Sequence, residues 1–424
     1  MKLEYDLVII GGGPAGLAVA LEARRNTVKD ILLLERDKYL GGILPQCIHN
    51  GFGVQYFKEE LTGPEYAGRF IGQLNHDNPN KVDIKTKTMV INITSDKRII
   101  AINRDDGLLY IKTKAVVLAM GWRERTREAI AVPGSRPAGI FTAGTAQRYI
   151  NIEGYMPGRE VVVLGSGDIG MIMARRMTLE GARVKAVLEI MPFSTGLIRN
   201  KVQCLDDFNI PLKFNHTITR IEGGKRVEKV TVAQVDKHLQ AIPGTEEEIS
   251  CDTVLLSVGL IPENELTSEA GIKLDPVTRG PIVNENRETE IEGIFACGNV
   301  LHVHDLADFV TEEGEIVGRV VGEYLKGNRK FRSQPIKIFP GDNIAYVVPQ
   351  HIDFIVPGRK KIKLFMRVKK PEERVKINLI DDKGRVLTAY KKRIVTPGEM
   401  VSVFLPEVLL DDKLKNITIS IKRD

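Results

Sequence analysis

The sequence predicts an α/β chain: two domains of parallel βαβ type, the second inserted into the first, followed by a small all-β segment. Three observations carry that prediction. A continuous apolar run, Asp6-Leu-Val-Ile-Ile10, leads directly into Gly11-x-Gly13-x-x-Gly16. The same arrangement returns as Val161-Val-Val-Leu164 followed by Gly165-x-Gly167-x-x-Gly170. The last 90 residues hold short β-type runs, parted by turn residues at the spacing of a small sandwich or barrel.

An unbroken apolar run is what a strand buried on both faces of a parallel sheet requires. In the first copy, Leu17 to Arg25 reads as a helix and Ile31 to Leu34 as a second strand ending in Glu35. In the second copy, a helix runs through Glu180 and a strand ends in Glu189. The acid follows the first glycine by 24 residues in both, from Gly11 to Glu35 and from Gly165 to Glu189. Each residue has a chemical reason. The first glycine makes the tight turn, the second lets a pyrophosphate approach the backbone, and the third lets helix and strand pack closely. The helix N-terminus faces the phosphates, and the acid receives ribose hydroxyls. Two copies in full strand–turn–helix context therefore predict two Rossmann-like dinucleotide-binding domains. Expected contacts are Gly11, Gly13, Pro14, Ala15, Gly16, Glu35 and Arg36 in the first, and Gly165, Gly167, Asp168, Ile169, Gly170 and Glu189 in the second. Glu189 repels a 2′-phosphate, which favours NAD over NADP at the second site.

Composition narrows the class. At 424 residues the chain exceeds one ordinary core, and 43% hydrophobic with 27% charged residues is globular. No apolar run reaches the roughly 18 residues needed to span a bilayer, and Leu7 to Ile10 is too short for a signal segment. The expectation is a cytoplasmic protein without direct membrane insertion. The net charge of +6 is uneven: residues 335–424 carry 19 Lys+Arg against 11 Asp+Glu, which places all the excess there. A solvated lysine-rich surface or an acidic partner accounts for it, and nucleic acid is not expected because no reading motif accompanies the charge. The four cysteines, Cys47, Cys204, Cys251 and Cys297, form no CxxC or CxxxxC pair. No zinc site, iron–sulfur site or local redox disulfide is expected.

The order of these motifs resembles the two-dinucleotide-fold flavoproteins, the pyridine nucleotide–disulfide oxidoreductase superfamily. The resemblance covers about residues 1–332 and implies FAD at the first motif and NAD at the second. Three further segments match it. Val116-Val-Leu-Ala-Met-Gly121 resembles the strand and glycine closing the first FAD lobe, and Thr253-Val-Leu-Leu-Ser-Val-Gly259, with Pro262 and Asn264, its counterpart in the NAD domain. Thr289-x-x-x-Gly293-Ile-Phe-Ala-Cys-Gly298-Asn299 resembles the second FAD signature. The family usually has Gly-Asp there, so Asn299 removes a negative charge while keeping the capacity to hydrogen-bond a ribityl hydroxyl. Gly42, Gly121, Gly259, Gly298 and Asn299 join the expected cofactor contacts. Phe309 to Leu325 reads as a helix, and its family counterpart points its N-terminus at the flavin.

Gly41-Gly42, Leu61-Thr-Gly-Pro64 and Pro133-Gly134 resemble the thioredoxin reductase branch. Where that branch has CxxC, this chain reads Ala143-Gly-Thr-Ala146, so disulfide reduction is not expected. The stretch Gln46-Cys-Ile-His-Asn-Gly-Phe-Gly53, with Arg123-Glu-Arg125 and Leu301-His-Val-His-Asp305, resembles a narrower group. These are flavoprotein subunits encoded beside bacterial anaerobic glycerol-3-phosphate dehydrogenase, with relatives in sarcosine oxidase, amino-acid dehydrogenase and NADH oxidase complexes. That resemblance implies a nicotinamide nucleotide as substrate and, as partner, a second flavoprotein subunit. Cys47 and His49 follow the Gly-Gly pair where the family places groups on the flavin. They are the candidate catalytic residues, as a thiolate and proton relay or as an ordinary thiol and histidine. A pairing of Cys47 with Cys297 is the alternative. His302, His304 and Asp305 are read as flavin-proximal polar residues, since no ligand spacing supports a metal.

The expected domains are 1–125 with 265–332 for FAD, 126–264 for NAD, and 333–424 as the all-β segment, with Gly327-Asn328 and Pro335 at the last boundary. Strands are expected at Ala345 to Val348, Ile362 to Val368, Val375 to Ile380, Val386 to Tyr390 and Val401 to Leu405. Three functions compete: NADH oxidation through FAD toward a partner or oxygen, the reverse flow as an NAD-reducing subunit, and a nucleotide-binding scaffold without turnover.

Overall fold

A computed structural model describes residues 3–75, 82–327, 329–355, 360–411 and 413–423; Asn328 of the expected boundary lies outside the described residues. By compactness the chain divides into two units, Met1–Trp122 with Pro262–Asp424, and Arg123–Ile261.

The first unit is built on a parallel sheet. Its strands run Val82–Lys85, Ile31–Leu34, Glu4–Ile10, the far half of Gly107–Leu118, and Ile294–Ala296. The near half of Gly107–Leu118 leaves that sheet and pairs antiparallel with Arg98–Asn103, which pairs with Thr88–Ile93. The central strands are buried on both faces, which is why they read as unbroken apolar runs. On one face lie helices Pro14–Arg25, Gly63–Asn75 and Ala307–Leu325. On the other lies the three-stranded meander. The first and last of these helices approach closely. A Cβ at Gly314 would stand 2.5 Å from the Ala15 carbonyl oxygen, and one at Gly318 would stand 2.8 Å from that of Val19. The four-residue glycine spacing thus presses one helix onto the other.

The all-β segment falls within this unit and has its own apolar core. A five-stranded sheet runs His351–Phe354, Phe331–Pro340, Asn416–Arg423, Glu372–Asp381, Val386–Val395. A three-stranded sheet runs Ile344–Val348, Lys361–Val368, Val401–Pro406. All five expected strands are present. Three more, Phe331–Pro340, His351–Phe354 and Asn416–Arg423, escape the pattern because prolines, lysines and short length blur their alternation.

The second unit repeats the parallel design in the order Ile140–Thr142, Thr253–Leu256, Glu160–Leu164, Arg183–Glu189, Leu212–Phe214. An antiparallel sheet of His216–Gly223, Val227–Gln234 and Glu247–Ser250 completes it. Among the described residues no helix is long and apolar enough to cross a membrane.

Candidate functional site

Each glycine turn sits where a parallel strand hands over to a helix. Gly11 has φ +106°, and a Cβ there would lie 2.3 Å from the Ala119 carbonyl oxygen. Gly165 is equivalent, with φ +98° and the Ser257 carbonyl oxygen at 2.0 Å. Only glycine fits either place. A Cβ on Gly16 would stand 1.9 Å from the Gly11 carbonyl oxygen, and one on Gly170 would stand 2.7 Å from that of Gly165. These glycines serve the fold itself.

Gly13 is different. Its backbone is ordinary, φ −76° and ψ −173°, and it caps helix Pro14–Arg25. The nearest atom to a Cβ there is Gly42 Cα at 3.8 Å. Nothing in the protein forbids a side chain, so the space is open at a helix N-terminus with Pro14 at N1. That is a cradle for a phosphate-bearing ligand. Gly42, at φ +60°, borders the same space, and Gly298, at φ +73°, lies against Ala15. Gly121 is open as well, with nothing near its Cβ position and its carbonyl accepting from the Glu263 amide.

Both acids are buried and use one device. Glu35 accepts from the amides of Gly12 at 2.8 Å and Asp37 at 2.7 Å. Glu189 accepts from the amides of Ser166 and Met191, each at 2.9 Å. In each case the carboxylate grips the residue after the first glycine and the residue two beyond itself. Ser166 Oγ and Thr195 Oγ1 add further donors to Glu189. Sequence reasoning missed Ser166, which occupies the variable position of the motif. Arg36 lies against Glu263 on the surface. Asp168 accepts from the Leu197 amide and Asn200 Nδ2, so it fixes the following loop, while Ile169 packs on the apolar core. The Gly259 carbonyl accepts from the Arg125 amide.

The candidate catalytic pair falls in two different environments. Cys47 is buried, its thiol donates to the Ile43 carbonyl at 3.4 Å, and burial pushes its pKa up to about 12. Burial thus disfavours the thiolate. His49 is half-buried and lies against Phe52 and the Asn50 carbonyl. All four cysteines are buried and none is in a disulfide, so Cys47 and Cys297 are not bridged.

The segment after Gly298 holds a cluster that sequence reasoning only partly found. Glu313, in the middle of helix Ala307–Leu325, accepts four hydrogen bonds. Oε1 takes Arg287 Nε at 2.8 Å and His302 Nε2 at 3.2 Å. Oε2 takes the Gly298 amide and His304 Nε2, both at 3.0 Å. Since a carboxylate only accepts, both imidazoles carry their proton on Nε2. Burial and the neighbouring His304 push His302 down to about 4, so it is neutral. Burial alone raises the Glu313 carboxyl, but His302, Arg287 and His304 outweigh it and hold Glu313 well below the usual carboxylate range. The two imidazoles and the carboxylate stand at metal-ligand spacing. However, the Arg287 guanidinium occupies the same carboxylate, and neither Nδ1 has a partner among the described residues to orient it as a ligand. Asn299 Oδ1 accepts from the His304 amide at 2.9 Å, which turns its NH2 outward as a donor.

Ala143 and Ala146 are fully buried in the second unit's core at the start of helix Ala143–Arg148. Glu124 caps that helix, accepting from the Gly144 amide with both oxygens, at 2.9 and 2.8 Å.

Two glycine turns with matched buried acids are the architecture of a two-nucleotide flavoprotein, and residues 5–314 match the pyridine nucleotide-disulphide oxidoreductase family. The chain belongs to that family, whose members use FAD and NAD(P)H. It is 25% identical over 313 residues to one of the opine oxidase subunits of Agrobacterium tumefaciens, covering 70% of this chain and 61% of that protein. It is 26% identical over 317 residues to the CoA-dependent NAD(P)H sulfur oxidoreductase of Pyrococcus abyssi, covering 71% and 63%. The chain thus spans about three fifths of these relatives. The thioredoxin reductase of T. acidophilum has the same fold, with a TM-score of 0.61 at 24% identity, over 77% of this chain and 99% of that one.

Proposed function

We propose that the chain oxidises NADH through FAD and hands the electrons to a partner flavoprotein, oxygen or another small acceptor, and not to a protein disulfide. The observation that carries this reading is the paired turn: two glycine turns, each beside a helix N-terminus and each held by a buried acid, the first of them open at Gly13. Gly13, Glu35, Gly42, Gly298 and Asn299 hold FAD on the turn that Gly11 and Gly16 shape, and Gly167 and Glu189 hold the nicotinamide nucleotide on the turn that Gly165 and Gly170 shape. Bound FAD supplies a two-electron hydride acceptor, a chemistry that needs no protein acid or base. The chain's part is to bind and orient. The helix N-termini meet the pyrophosphates, Glu35 and Glu189 receive ribose hydroxyls, and Glu189 disfavours a 2′-phosphate. The buried alanines at 143 and 146 support the exclusion of disulfides, because they offer packing and no sulfur. Cys47, protonated and hydrogen-bonded to backbone, tunes the site at most.

Anaerobic rapid mixing with NADH tests the reading. Flavin bleaching at a rate that supports turnover, followed by reoxidation with an artificial acceptor but not with a thioredoxin disulfide, is the expected result. A flavin that never bleaches marks a scaffold instead. The likeness to an opine oxidase component favours one further reading, a chain that receives electrons from a partner dehydrogenase and reduces NAD. Assay of the purified native complex in both directions separates the two.

A further inference from the structure

We propose that the all-β segment acts on the flavin: it seals the Arg287–Glu313–His302–His304 cluster, a buried charge unit that positions the Gly298–Asn299 turn and tunes the redox potential of FAD bound there. The inference rests on the assignment of that turn to FAD. Glu313 holds the turn directly through the Gly298 amide, and His304 holds it through the Asn299 side chain. A carboxylate at this depth is costly to desolvate, and an apolar residue would pack as well. Four donors on its two oxygens show a group fixed in charge and place, beyond what packing needs.

The cover comes from the β segment. Phe365, fully buried on strand Lys361–Val368, lies tilted against His302 with centroids 5.5 Å apart and meets His304 edge-on at 5.1 Å. Its ring also faces the Arg287 guanidinium at 5.9 Å. Tyr346 lies against His302 from strand Ile344–Val348. The loop carrying the histidines is gripped from the same side. Arg367 pairs with Asp305 and donates to the Val303 carbonyl, the Met400 amide donates to Asp305, and Lys363 pairs with Glu312. A dry cover keeps the local dielectric low, so the cluster's charges reach further than they would in water. With Glu313 negative, Arg287 positive and His302 neutral, the carboxylate and the guanidinium balance each other. A change in either charge would therefore be felt at the flavin.

The test is the midpoint potential of bound FAD in the full chain, read from absorbance during equilibrium reduction with a reference dye. Glu313→Gln leaves the Arg287 charge uncompensated, which favours electrons on the flavin. The expected shift is positive, about tenfold in the ratio of reduced to oxidised flavin at fixed potential, or ~30 mV for a two-electron couple. Phe365→Ala keeps every charge but admits water. His302 then faces His304, Glu313 and Arg287 from its own side and Tyr346, with Arg367 and Asp305 behind it, in a wet site. Its ionisation rises toward the ordinary histidine range, and the potential gains a new inflection between about pH 4 and 7. A purely structural role predicts lower thermal stability with the potential and its pH profile unchanged. An unchanged potential in FAD-loaded Glu313→Gln, or an unchanged pH profile in FAD-loaded Phe365→Ala, overturns the proposal. So does loss of FAD from both variants, since the cluster would then build the site without tuning it. A wild-type chain that takes up no FAD would refute the cofactor assignment itself, which is a separate result.

Discussion

Gly13→Val separates a glycine kept for a ligand from one kept for the fold. The Gly13 backbone is extended and open to any residue, and the nearest atom to its Cβ position is 3.8 Å away. As a helix cap, glycine is replaced at a cost of only about a few tenths to 1 kcal/mol, and a stiffer unfolded chain returns about 0.4–1 kcal/mol. Folding stability is thus expected to stay within about 1 kcal/mol of wild type. Gly16→Val is the contrast. Its Cβ would stand 1.9 Å from the Gly11 carbonyl oxygen, so helix and strand must part, at about 1–3 kcal/mol or more. For the cofactor the order reverses. Valine at 13 fills the space beside the helix N-terminus and takes away about two charge-assisted backbone hydrogen bonds, each worth about 1.5–3 kcal/mol. The expected loss of FAD affinity is about 3–6 kcal/mol, roughly 10²- to 10⁴-fold. Thermal unfolding of the apoproteins and fluorescence titration with FAD measure both quantities. Wild-type FAD affinity in Gly13→Val refutes the reasoning. So does a Gly13→Val apoprotein as unstable as Gly16→Val, because the space would then belong to the fold.

Four other outcomes are expected. Wild type should use NADH at least about tenfold more efficiently than NADPH, a difference of about 1.4 kcal/mol, and Glu189→Arg should narrow or reverse it; equal efficiency in wild type would show that the Glu189 carboxylate does not read the ribose. Cys47→Ser should change NADH turnover modestly, with no thiol inflection in the pH–rate profile near neutrality, since burial pushes this thiol up to about 12; loss of disulfide reduction in that variant would reveal a sulfur relay. The same raised pKa means that Cys47 favours the folded state below the unfolded thiol's pKa and that this contribution fades as pH rises from about 8.5 toward about 12; denaturant midpoints measured up that range should fall less in Cys47→Ser. His302 works in the opposite sense: its depressed folded pKa stabilises the protein above the unfolded value near 6.5 and is lost as pH falls toward about 4, so His302→Gln should flatten the acid side of a melting-temperature profile, and an unaltered slope would count against a buried neutral imidazole.

The sequence by itself determined the two βαβ repeats, because their constraints are local. A tight turn with positive φ, a close helix–strand approach and an acid at the end of the next strand all fall within about 25 residues of one chain segment, so Gly11, Gly16 and Glu35, and Gly165, Gly170 and Glu189, were legible as patterns. The alternation in five strands of the C-terminal segment was legible for the same reason. What the tertiary structure decided is everything that depends on burial or on distant partners. Cys47 and His49 read as a reactive pair, yet burial disfavours the thiolate and the histidine lies half-buried against Phe52. Gly13 and Gly16 look alike in the motif, and only the surrounding atoms show that one is required by the fold and the other leaves room. Glu313 looked like any acid on an amphipathic helix. Its meaning comes from Arg287, His302 and His304, which lie 9 to 26 positions away and meet it only in the folded chain, and from Phe365, 52 positions away, which covers the histidines. Periodicity records which face of an element is apolar; the low dielectric that gives a buried charge its force exists only once several elements have closed around it.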